Sequence, residues 1–372
     1  MKRNIHLTTA AIVLSLFKPA IANDLNELSA GELLEKAKAE GKVTVYSFTS
    51  RVARLEKAFE AAYPEIDLQG YDISSTEQIS RLKAEAGAGI ANADVVYISD
   101  APVVLNELVV SGILENYVPP RVADRLSPED KAPLLAQRLS TKVLMYNEEA
   151  NPNGSPIKNL WQLTTPEWKG RVVMVDPLQR GDYLDLMTEI VLRSGAMAKA
   201  YEAEFGKPIE LGNAEDAGHK FISDLFANDL ILVKSTDDVN AAVGKLGQRN
   251  PPVGFTSYSD RRDNKDEGWA LQVSNATVPA SGIVFPVILG IAKGSQHPAA
   301  ARLAIDFFMG DESKTGGEAF KPFYVPGDYA TRTDIAPHPD AVPLDKLTAW
   351  HMDPTATAKA RKDVGDFILT LQ

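Results

Sequence analysis

Four clusters of hydroxyl, carboxylate, amide and guanidinium side chains stand where apolar runs stop. They are Ser47, Thr49, Ser50 and Arg51; Ser99 and Asp100; Asp176, Gln179, Arg180, Asp182 and Tyr183; and Ser235, Thr236, Asp237 and Asp238. Ser281, just ahead of the apolar run 284–292, completes the set. A helical pattern follows each of the four clusters. Unpaired amides and the dipole at a helix N-terminus favour an anion there. Arg51 and Arg180 are suited to grip a carboxylate or phosphate through paired hydrogen bonds, and carboxylates facing a cleft suit sugar hydroxyls or an ammonium group. Capping is the competing reading: Ser, Thr and Asp are favoured N-caps in any protein, and Ser235 with Asp238 has capping-box spacing. If Arg51 faces a ligand, its loss weakens binding at little cost in stability.

Catalytic constellations are thin. The five histidines, His6, His219, His297, His338 and His351, lack metal-ligand spacing. There is no G-x-S-x-G, no P-loop and no G-x-G-x-x-G. The chain has no cysteine, which excludes disulfides, thiol nucleophiles and thiolate metal sites. The reading is a non-enzyme without cofactor or metal. A net charge of -11 with no basic block argues against nucleic-acid binding, which needs a basic face.

The elements that must position these residues alternate. Apolar spacing of three and four predicts helices over 25–40, 52–62, 181–192, 216–226, 237–246 and 299–309, with a last one over 356–371. Ser74-Ser-Thr-Glu77 predicts a capping box opening another helix. Between them, strands are predicted around 43–48, 66–68, 94–98, 142–146, 171–175, 231–233, 253–256, 269–273 and 284–292. This β-α alternation implies doubly wound sheets, and 372 residues suffice for two lobes. In such sheets ligands bind at the carboxyl ends of strands. Trp161 and Trp168 are read as packing residues.

The first 22 residues have signal-peptide grammar: Met1-Lys2-Arg3, the apolar stretch Leu7–Phe17, and Ala20-Ile21-Ala22 before cleavage. The mature chain would lose three positive charges and carry -11 - 3 = -14. The expected location is the periplasm.

Four stretches resemble one family. VTVYSFTSRVARLEKAFEAAYPEI, ADVVYISDAPVVLNELVVSGIL, NLWQLTTPEWKGRVVMVDP and SGIVFPVILGIAKGSQHPAAARLAIDFFMGDESK are similar to periplasmic solute-binding proteins of ATP-driven importers. The branch includes ferric-ion binders and binders of hexose phosphates, phosphoglycerate and aminoethylphosphonate. The resemblance implies an α/β, two-lobe type II fold, each lobe a doubly wound mixed sheet, with hinge crossings. The implied division is a signal peptide at 1–22, lobe 1 at 23–140, lobe 2 at 141–279, a return to lobe 1 at 280–340 and a helical tail at 341–372. It also implies delivery of the captured solute to a membrane permease and ATPase; the hydroxyls beside Arg51 and Arg180 across the cleft suit a small organic anion, phosphorylated by preference, and the expected state is a monomer. A ferric-ion binder, and a sensor feeding a membrane histidine kinase, are the alternatives. Ferric members use an adjacent tyrosine pair after the strand resembling 231–233; here that place reads Lys234-Ser-Thr-Asp-Asp-Val239.

Overall fold

The computed structural model describes residues 25–372. The expected signal peptide, 1–22, lies outside the described residues. No helix among them is long and apolar enough to cross a membrane.

The first half runs α1 (Ala30–Glu40), β1 (Lys42–Ser47), α2 (Val52–Ala62), β2 (Asp67–Asp72), α3 (Ser75–Ala88), β3 (Val95–Ile98) and α4 (Ala101–Val103), the last continuing as a π-helical turn over Val104–Val109. Ser29 and Glu32 close a reciprocal capping box on α1, and Gly41 ends it at φ 68°, a conformation costly for any residue with a Cβ. The apolar stripe of α2, Val52, Leu55 and Phe59, is buried, which its three-and-four spacing requires. Strands β2, β1 and β3 are parallel neighbours.

After β4 (Leu114–Glu115) and α5 (Pro128–Lys131) comes β5 (Leu135–Asn147), a strand of 13 residues. The second half follows: β6 (Val172–Val175), α6 (Gly181–Leu192), α7 (Ser194–Phe205), α8 (Ala217–Ala227), β7 (Ile231–Val233), α9 (Thr236–Gly244), β8 (Val253–Thr256), α10 (Asn264–Glu267) and β9 (Leu271–Val273). Helix α7 was not predicted, because its small residues and charges leave only a weak apolar stripe. Trp161 and Trp168 are both buried, as expected of packing residues.

The chain returns through β10 (Gly282–Ala292), then α11 (Pro298–Phe308), α12 (Gly317–Phe320), β11 (Tyr329–Ala330), β12 (Trp350–His351) and α13 (Pro354–Leu369). The strand order is β2-β1-β3-β10-β5-β8-β6-β7. Two doubly wound halves therefore join through β5 and β10. These long strands pair antiparallel; β10 takes β3 on its free edge, while β5 takes β8 and β9. They are the hinge crossings. The expected boundary at 140/141 falls inside β5, and that at 279/280 just ahead of β10.

Candidate functional site

The two halves face each other above the crossing strands. Side chains alternate along a strand, so Arg138, Ser140 and Lys142 share one face of β5. All three are buried. Each cation anchors a cluster.

In the first cluster, Asp328 lies between two arginines. Arg51 Nη1 is 2.5 Å from Asp328 Oδ2, and Arg138 Nε is 3.3 Å from Oδ1. Ser140 donates to Oδ1 at 3.0 Å, and Arg51 Nη2 donates to Ser259 at 3.1 Å. Arg138 also donates to Gln137 Oε1 and the Tyr97 hydroxyl, and lies over the Phe323 ring. Burial pulls the Arg138 guanidinium down to about 10, so it stays charged at neutral pH. Burial would raise the Asp328 carboxyl; Arg138 and then Arg51 overcome this and hold it below its usual value.

A folded-state pKa below the unfolded one means that Asp328 contributes stability above about pH 4, the unfolded carboxyl value, and loses it as pH falls through the folded value. The stability advantage of the wild type over Asp328→Asn should therefore shrink between pH 5 and pH 2 in urea unfolding series. An advantage independent of pH would contradict the pairing.

In the second cluster, Asp182 at the start of α6 accepts from Lys142 Nζ at 2.9 Å and Arg180 Nη2 at 3.1 Å. Burial would raise its carboxyl; Arg180 and Lys142 hold it well below the usual carboxylate range. Burial pulls the Lys142 ammonium down, opposed by Asp182. Arg180 Nη1 donates to Thr236 Oγ1 at 2.8 Å. Tyr183 is buried, its hydroxyl has no hydrogen-bond partner among the described residues, and burial raises it.

Between the halves lies a cavity of about 220 Å³. Phe48, Asp72, Ser74, Ser75, Thr76 and Ser99 line it from one half, and Arg180, Gly181 and Asp182 from the other. Ser75 and Ser99 share a hydrogen bond at 3.1 Å. The N-termini of α3 and α6 both reach this cavity. The amides of Ser75, Thr76, Gly181 and Asp182 have no partner among the described residues. Arg180 remains about one-third exposed. Two helix N-termini and a guanidinium converge there from opposite sides, a chemistry that favours an anion, beside the carboxylates of Asp72 and Asp182. A second cavity of about 620 Å³ lies between Ser50, Arg51 and Arg54 on one side and Asp237, Asp238, Arg262 and Trp269 on the other.

The predicted residues divide accordingly. Ser99, Arg180 and Asp182 line the smaller cavity, and Ser50, Arg51, Asp237 and Asp238 the larger one. Thr236 holds Arg180. Ser47 and Thr49 close a local turn: Ser47 Oγ accepts from the Thr49 amide at 3.2 Å. Asp176 accepts from the Leu178 amide and the Gln179 side chain. Ser235 and Asp238 form the capping box that their spacing suggests. Ser281 donates to the Thr348 carbonyl at 2.7 Å, and Asp100 pairs with Arg361. Arg51 departs most from expectation, because its guanidinium is held in the buried cluster.

Sequence reasoning missed Ser74, Ser75 and Thr76. The strand-end rule, applied to β2 as it was to other strands, would have found them. The expected box there is half formed: Ser74 caps the Glu77 amide, while the Glu77 carboxylate pairs with Arg81. Arg138 and Lys142 were also missed, although their alternation with Ser140 inside an apolar strand was visible.

No known family profile matches this chain, and no curated protein does. Solved structures do. Iron-bound HitA from Pseudomonas aeruginosa superposes with a TM-score of 0.67 at 19% identity, over 87% of this chain and 98% of HitA. This chain has the two-lobe periplasmic-binding-protein fold. AfuA from Actinobacillus pleuropneumoniae with fructose-6-phosphate bound gives 0.67 at 21% identity, over 89% of this chain and 98% of AfuA. AgtB from A. tumefaciens R10 in complex with agropinic acid gives 0.63 at 15%, over 89% and 98%. The shared fold thus accompanies iron, fructose-6-phosphate and agropinic acid in these proteins.

Proposed function

We propose that this chain is the periplasmic solute-binding component of an ATP-driven importer. In this reading it is a monomer that captures a small organic anion between its lobes and hands it to a membrane permease. The observation that carries the reading is the cavity where the N-termini of α3 and α6 meet Arg180. Arg51 and Arg138 face one carboxylate, Asp328; Lys142 and Arg180 face another, Asp182. Asp72 is a second carboxylate on the cavity wall, so the two helix N-termini and Arg180 carry the preference for an anion such as a phosphate monoester.

A thermal-shift panel tests this with glucose 6-phosphate, 3-phosphoglycerate, 2-aminoethylphosphonate and ferric citrate. A phosphorylated ligand should raise Tm by an amount that grows with its concentration. The shift should weaken below about pH 6, where the phosphate takes up its second proton. A response to ferric citrate alone would sink the proposal.

The tyrosines argue against a ferric site. Tyr258, Tyr324 and Tyr329 bond to the loop carbonyls of Asp340, Pro337 and Val342.

A further inference from the structure

Helix α13 lies against both halves of the molecule. It packs on α6 of the second half and on α4 and the π-helical turn of the first. Thr357 donates to Glu189 of α6 at 2.8 Å. Midway along α13, Arg361 reaches between the halves. Its Nη1 is 2.5 Å from Asp100 Oδ1 and its Nη2 3.2 Å from Asp100 Oδ2, while its Nε is 3.3 Å from Asp185 Oδ1. All three side chains are nearly buried, at 13%, 3% and 3% exposure.

The placement matters because both carboxylates adjoin the cavity wall. Asp100 follows Ser99, and Asp185 lies one turn after Gly181. The approach at Gly181 is tight: a Cβ there would sit 2.6 Å from Arg361 Nη2, as well as against the Asp100 carboxylate. Two-point pairing with Asp100 gives directional hold as well as charge. Without the guanidinium, Asp100 of the first half and Asp185 of the second would lose the cation they share, with Asp182 and Glu189 on the same helix as Asp185. Lys142 and Arg180, engaged by Asp182, and Arg193, engaged by Glu189, already have carboxylate partners of their own. Burial already raises the Asp185 carboxyl well above its usual value against the pull of Arg361, so losing the guanidinium removes the charge that ties it to Asp100.

We propose that α13 is an interlobe clasp and Arg361 its positioning residue: by holding Asp100 and Asp185 together, it sets the population of the closed form. The effect on ligand affinity rests on the solute-binding reading above; the effect on lobe separation does not. Apparent affinity scales with the fraction of molecules in the binding-competent form, so an opened clasp weakens binding without touching the ligand.

The chain has no cysteine, so Ala62→Cys on α2 and Lys265→Cys on α10 provide two unique spin-label sites. Pulsed dipolar spectroscopy without ligand then reads lobe separation directly. Arg361→Ala and Asp100→Asn should each move the distance distribution longer and broaden it, and Arg361→Lys should restore part of the original distribution. Affinity for glucose 6-phosphate should fall about tenfold in Arg361→Ala, as it would if the closed fraction fell tenfold. A folded Arg361→Ala with an unchanged distribution would overturn the clasp. If that variant does not fold, Asp100→Asn decides by the same measurement. A wild type that ignores glucose 6-phosphate counts against the ligand reading, while the distances still judge the clasp.

Discussion

Arg180→Ala should lower affinity for a phosphorylated ligand about 100-fold, roughly 3 kcal/mol, in isothermal titration. Arg180 is the partly exposed cation on the cavity wall, and it faces the N-terminus of α3. Among the described residues lining that cavity it is the one cationic side chain, and its removal leaves Asp182 and Asp72 on the wall. The fold should tolerate the change. Asp182 keeps Lys142 at 2.9 Å, and Thr236 loses a partner near solvent. The expected signature is a large loss of affinity with a melting temperature close to that of the wild type without ligand. Unchanged affinity would move the anion site elsewhere, with the larger cavity beside Arg54 next in line.

Arg51→Ala should do the opposite. It removes the shorter of the two ion pairs on Asp328, a carboxylate with no exposed side-chain surface. Breaking a buried pair by deleting one partner costs about 3 kcal/mol, because the other charge remains buried. Arg138 stays nearby, but its Nε makes no hydrogen bond to Asp328. Denaturant unfolding should show the loss. Ligand affinity, measured where the variant is still folded, should fall less than in Arg180→Ala. A variant as stable as the wild type would mean that Asp328 does not depend on Arg51. This reverses what the sequence suggested for Arg51: low stability cost and strong loss of binding.

The reversal follows from what a one-dimensional pattern contains. The stretch from Ser47 to Arg51 announced a strand end, a turn and a helix, and the structure has all three. Ser47 and Thr49 close the turn. Nothing local to that stretch says where a long, flexible arginine points. Its partner, Asp328, lies 277 positions away in a loop and reaches it only when the return segment folds back. Arg361 poses the same problem, 261 positions from Asp100. Such pairs depend on how distant segments meet, and periodicity is silent about that. Arg138 and Lys142 differ. Their alternation with Ser140 was readable, and only the apolar character of the rest of β5 obscured it.

The sequence by itself determined the alternation of strands and helices, most of their boundaries, the two-lobe α/β class and the kind of residue at each strand end. These follow from apolar spacing and capping chemistry, which act within a few residues. Tertiary structure alone decided which strand ends face one another. It buried Arg51, left Arg180 partly exposed, brought Ser74–Thr76 to the cavity and drew Asp100 under α13. The physical reason is that a charged side chain finds its partner through space, and the crossing of β5 with β10 sets those distances.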